Sequence, residues 1–139
     1  MSTALAERRL ILLGAALVLL AMATGLFVGP FPTVPLILSA HLAATMSGTL
    51  MIAVGAALSK VSLGDGERSI VVWGLAASGY LNWVATLLGA ALGTHALTPV
   101  HGAGTAGVAA EAVVGGLLVA MVIGTFAGLA VLVRGAARG

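Results

Sequence analysis

The sequence predicts an all-α integral membrane protein, a four-helix bundle with its N- and C-termini cytoplasmic, and three observations carry that prediction. Of 139 residues, 60% are hydrophobic and 7% charged, with a mean hydropathy of +1.19, whereas a soluble domain carries roughly 25% charged residues. Four apolar runs, about 10–29, 36–58, 70–92 and 108–133, each reach the ~20 residues that a helix needs to cross a bilayer, which makes 1–139 a single transmembrane domain. All six basic residues (Arg8, Arg9, Lys60, Arg68, Arg134, Arg138) fall at the N-terminus, in the second connection or at the C-terminus. With four crossings those places share one side, and the positive-inside rule makes it cytoplasmic.

The first run follows Arg8 and Arg9 as a signal peptide would. It is longer than the apolar core of such a peptide and ends in Pro30-Phe31-Pro32 with no Ala-x-Ala pattern, so a retained span is expected. The runs are separated by breaks: Pro30 to Pro35, Lys60 to Arg68 with Gly64 and Gly66, and Gly93 to Gly102 with Pro99. Gly14, Ala21 and Gly25 recur at helical spacing in the first run. Thr45, Gly48 and Gly55 do so in the second, on the face that carries His41. Small faces let helices approach closely in lipid, so a compact bundle and an oligomer are expected. In the third run Ser78, Asn82, Thr86, Gly89 and Gly93 step by three and four residues and form one polar stripe. Tyr80, two residues from Asn82 and so about 200° around the helix, points nearly the opposite way, toward a different surface such as a neighbouring subunit. Glu111 opens the fourth run between Gly107 and Gly115. It reads as a solvated rim acid favoured by the helix N-terminus, with pairing to His95 or His101 as the other reading.

The chain has no cysteine, which removes thiolate ligation of zinc, iron-sulfur clusters and haem. Its few basic residues form no patch or stripe, so no nucleic-acid partner is expected. It has no P-loop, no GxSxG elbow and no carboxylate pair. His95, His101 and Glu111 lack the spacing of a zinc motif. What remains is His41, an imidazole inside a span. It reads either as a metal ligand or as a histidine hydrogen-bonded to Thr45 or to a carbonyl. Counting outward from the turn near Gly64 sets Ser47 level with Leu81 and Asn82, and His41 near Thr86, about 9 Å further out at ~1.5 Å per residue. Asn82 either bridges helices through Ser47 or Ser78 or hydrogen-bonds a polar substrate.

The stretch His41-Leu42-Ala43-Ala44-Thr45-Met46-Ser47-Gly48-Thr49-Leu50-Met51, followed by Gly79-Tyr80-Leu81-Asn82-Trp83, resembles the hydroxylaminobenzene mutases and, more remotely, the styrene oxide isomerases. The resemblance implies a small homotrimeric membrane isomerase of nitroaromatic degradation, multi-pass in a bacterial-type inner membrane. It implies haem (heme b, ferric iron) held at a subunit interface by the second-span histidine, which falls on His41, with Thr45 and Gly48 as its cofactor-binding neighbours. The third-span asparagine falls on Asn82. Where the epoxide enzymes have an asparagine this chain has Ser47, and where they have a tyrosine it has Thr86. Those departures favour the mutase: an arylhydroxylamine would rearrange to a 2-aminophenol, ferric haem acting as Lewis acid. Asn82, with Ser47, Thr86 or Tyr80, would orient the substrate. The alternatives are epoxide isomerisation and a non-enzymatic membrane haem protein.

Overall fold

A computed structural model describes residues 1–29, 31 and 33–138; Pro30 and Pro32 of the first break lie outside the described residues. Four α-helices follow in order, α1 Thr3–Leu26, α2 Val34–Ala57, α3 Asp65–Leu92 and α4 Val108–Ala136, with a 3-10 turn over Leu58–Lys60. All four are long and apolar enough to cross a membrane, and no strand occurs among the described residues. The protein is an all-helical, multi-pass membrane protein.

Two helices begin well before their apolar runs. Hydropathy marks the part of a helix that suits lipid, whereas hydrogen bonding carries the helix on into the charged turns. In α1 the pattern of Leu10, Gly14, Leu17, Ala21 and Thr24 on the buried face extends back to Ala6, and Ala6 N–H donates to Ser2 O at 3.0 Å. At the start of α3, Glu67 reaches back to accept the Gly64 N–H at 2.9 Å, closing an otherwise open first turn. Pro35 stands in the first turn of α2, where its missing N–H costs nothing. α3 ends at Gly93, whose φ of 73° is open to glycine and strained for other residues.

α1 packs chiefly on α2, and α4 on α3; α2 and α1 also pack against α3, which is the central helix. Each close pair is set by glycines. A Cβ built on Gly14 would stand 2.6 Å from the Gly48 carbonyl oxygen, and one on Gly48 2.6 Å from that of Gly14; on the other pair, one on Gly74 would stand 2.8 Å from Gly124 O. The backbones therefore touch directly, as lipid-phase packing favours. α4 is the most exposed helix, burying only Val114, Gly128 and Gly135.

One end of the bundle gathers the charges. The Met1 amino group donates to Asp65 O at 3.2 Å, and Glu7 Oε1 accepts the Ser59 N–H at 3.1 Å. Arg134 and Arg138 reach Glu67 at 2.6 and 3.0 Å. The N-terminus, the second connection and the end of α4 thus share one end, as the distribution of Lys and Arg predicts.

Candidate functional site

His41 is half-buried on α2 and turns toward α1, where Nδ1 lies 2.7 Å from Ala21 O. A carbonyl only accepts, so Nδ1 carries the proton and donates it, and the lone pair is left on Nε2. No described residue hydrogen-bonds Nε2. An imidazole tied through one nitrogen to a carbonyl, with the other unengaged, is the form that ligates iron. The residues present therefore fit the haem that the resemblance implies.

Depth counted from the Gly64 turn places His41 against the polar stripe of α3, and here the structure differs. The ring lies at the α1–α2 seam, while Ser47, six residues on and so ~120° around α2, faces α3 beside Gly79. Ser47 lines a groove of ≈ 260 Å³ with Ser78 and Asn82 of α3 and Met121, Val122, Thr125 and Phe126 of α4. The levels counted from the Gly64 turn hold for Ser47 and Asn82. Among the described residues His41 does not line the groove that holds Asn82.

Hydrogen bonding sets Ser47 and Asn82 apart. Within the apolar runs the hydroxyls of Thr24, Ser39, Thr45, Thr49, Ser78, Thr86 and Thr125 each donate to a carbonyl of their own helix. The Ser47 hydroxyl and the Asn82 amide make no such bond, nor any other to a described residue. Bridging of Asn82 to Ser47 or Ser78 is thus not observed. Two unengaged polar groups at mid-depth of an apolar bundle carry a desolvation cost, and both open on the same groove.

The remaining candidates have other surroundings. Tyr80 does point away from Asn82, yet toward its own chain: its hydroxyl donates to Leu13 O of α1 at 3.0 Å. Trp83 Nε1 donates to Thr24 Oγ1 at 3.0 Å, a second tie between α3 and α1. Thr86 is buried and donates to Asn82 O at 2.7 Å; it lines a separate groove, nearer the end opposite the gathered charges, with Ser39 and His101. Thr45 closes on His41 O at 2.8 Å, so it bonds the backbone of His41 and not its ring. Gly48 sits in the α1–α2 backbone contact.

At the start of α4 Glu111 is a rim acid that is also paired, as the other reading had it. It accepts the N–H groups of His95 and Ala96 at 2.9 and 3.1 Å and meets His95 Nδ1 at 3.2 Å, fastening the connection to the start of α4. Among the described residues no three His, Asp or Glu side chains gather to hold a metal ion.

The sequence reading offers a carbonyl as a partner for His41, which the structure bears out; it missed the α4 wall of the groove and which carbonyl that is. A signal for the first exists, since within residues 112–133 Thr125 is the one hydroxyl and Phe126 the one aromatic residue. For the second there is none, because every residue has a carbonyl.

Hydroxylaminobenzene mutase HabB of Ectopseudomonas oleovorans is 39% identical over 107 residues, which cover 75% of this chain and 64% of that relative. The matched region thus spans less than two thirds of the relative's length. No solved structure matches. A family model described as styrene oxide isomerase matches residues 6–137, and the chain belongs to the styrene oxide isomerase family.

Proposed function

We propose that this protein is an intramolecular isomerase, a mutase that converts hydroxylaminobenzene and related arylhydroxylamines to 2-aminophenols. The observation that carries the reading is the Asn82–Ser47 groove, in which an amide and a hydroxyl stand unengaged between apolar walls. The identity to a mutase of that name supports the choice of substrate. The reaction moves one oxygen: the N–O bond breaks and a C–O bond forms at the adjacent ring carbon. The proton lost by that carbon balances the one gained by nitrogen, so composition is unchanged and no external reductant is consumed.

His41 would hold the haem through Nε2, its Nδ1–H being committed to Ala21 O. When bound, ferric haem supplies a Lewis acid for the N-hydroxyl oxygen. Asn82 orients the substrate nitrogen and oxygen through its amide, and Ser47 hydrogen-bonds the oxygen as charge develops on it. Met121, Val122 and Phe126 wall the ring and keep water from intercepting it. Because the His41 seam and the Asn82 groove lie on different faces of α2, we infer that the site is completed between copies. His41 of one copy faces the groove of the next in a homotrimer. The basic end faces the cytoplasm across a bacterial-type inner membrane.

The test is a paired measurement on purified protein in micelles. The wild type is expected to show a Soret band and to turn phenylhydroxylamine into 2-aminophenol with no reductant, and His41→Ala to lose both; a His41→Ala protein that kept both would falsify the reading. The description of the family model favours a second reading, epoxide isomerisation. Turnover of styrene oxide in place of the hydroxylamine would select it. A Soret band with turnover of neither substrate selects a non-enzymatic haem protein.

A further inference from the structure

We propose that Gly25 is a positioning residue for His41: the side chain it lacks is the space into which the imidazole fits, and that fit determines which ring nitrogen is offered as a ligand. The proposal rests on the haem reading for its consequence, although its geometry stands apart from it.

Gly25 and Ala21 are one turn apart on α1 and both face the ring. A Cβ built on Gly25 would stand 2.9 Å from His41 Nδ1, 3.1 Å from Cε1 and 3.5 Å from Cγ. Carbon atoms do not approach a ring so closely, and the imidazole has only two side-chain torsions with which to retreat. It is also already fixed at its Nδ1 end by the 2.7 Å contact with Ala21 O. The Nδ1–Cε1 edge is therefore the edge turned to α1. A methyl group at residue 25 would displace that edge and break or lengthen the bond to Ala21 O.

Without that bond nothing described selects the Nδ1–H tautomer, and a proton on Nε2 would occupy the lone pair that iron needs. Donation from the non-ligating nitrogen also raises the basicity of the ligating one, and loss of such a partner typically costs about 10- to 100-fold in metal affinity. Gly14, Gly48 and Gly55 differ from Gly25 in this respect. Their built Cβ atoms meet backbone and aliphatic groups of the partner helix and no His41 atom, so they set helix distance alone.

The experiment compares wild type, Gly25→Ala and Gly55→Ala as full-length protein in micelles. The first measurement is 15N NMR of histidine-labelled protein without haem, the His41 signals assigned by their loss in His41→Ala. The wild type is expected to show His41 protonated at Nδ1 and bare at Nε2, Gly25→Ala to shift toward the Nε2–H form, and Gly55→Ala to match the wild type. The second is titration with hemin. Gly25→Ala is expected to bind about 10- to 100-fold more weakly with a raised midpoint potential, and Gly55→Ala to bind as the wild type does. A wild-type His41 protonated at Nε2 overturns the proposal, and this arm stands even if Gly25→Ala fails to fold. So does a Gly25→Ala protein whose tautomer and midpoint potential are unchanged. Failure of the haem reading is distinct: it is a wild type that gives no Soret band with hemin while its tautomer is as expected.

Discussion

The α1–α2 and α3–α4 pairs are built on one device and carry different chemistry. In each pair a glycine on one helix meets the backbone of a glycine on the other, Gly14 with Gly48 and Gly74 with Gly124. The first contact is flanked along the seam by an imidazole bonded to a carbonyl; the second adjoins a groove holding an unengaged amide and hydroxyl. Small residues therefore bring helices together without marking the site. What distinguishes the pairs is how much of the polar group beside the contact is engaged: at the first the imidazole is tied by one ring nitrogen to Ala21 O, and at the second a whole amide and a hydroxyl make no bond to a described residue.

The comparison breaks most visibly at the contacts themselves. Gly48→Leu forces a side chain into the Gly14 backbone and is expected to lower stability by about 3 kcal/mol or more, the upper range for overpacking. Gly124→Leu should cost less, since α4 packs chiefly on α3 and can move outward. Steric-trap or SDS unfolding of the two variants in micelles checks the order, and equal costs would remove the distinction between the pairs. Next in size is Asn82→Leu. Because the amide makes no hydrogen bond to a described residue, its loss is expected to leave the melting temperature unchanged or raise it, while turnover falls by ~100-fold, as for removal of an oriented donor. A variant that unfolds readily instead would make Asn82 a structural bridge. Smallest is Tyr80→Phe, which removes the bond to Leu13 O and should cost about 1 kcal/mol with turnover kept; lost turnover at unchanged stability would return Tyr80 to the reaction.

Most of the fold was legible because lipid imposes a simple rule on sequence: an apolar run of sufficient length becomes a helix. The starts of α1 and α3 were not, because Thr3 to Arg9 and Asp65 to Ser69 are helical by hydrogen bonding and capping, to which hydropathy is blind. Asn82 and Ser47 could be brought together by helical periodicity and by counting from the Gly64 turn. The direction of the His41 ring could not, because six residues along α2 turn Ser47 away from it and its partner is a main-chain oxygen. Tyr80 was legible in direction and not in destination. The sequence states which way a side chain leaves a helix, and only the packing of α3 on α1 states what it meets. Glu111 illustrates the same limit, since its partners are the N–H groups of His95 and Ala96.

The gathering of charge at one end of the bundle has an electrical consequence. Six bases less the three acids Glu7, Asp65 and Glu67 leave +3 at that end, and Glu111 alone gives −1 at the other, consistent with the formal net charge of +2. The folded protein is thus a permanent dipole lying along the membrane normal. A transmembrane potential acts on such an object with about 2.3 kcal/mol per elementary charge per 100 mV. Across an energised membrane that asymmetry favours the arrangement with the basic end on the electrically negative side over the inverted one, and by more as the voltage rises.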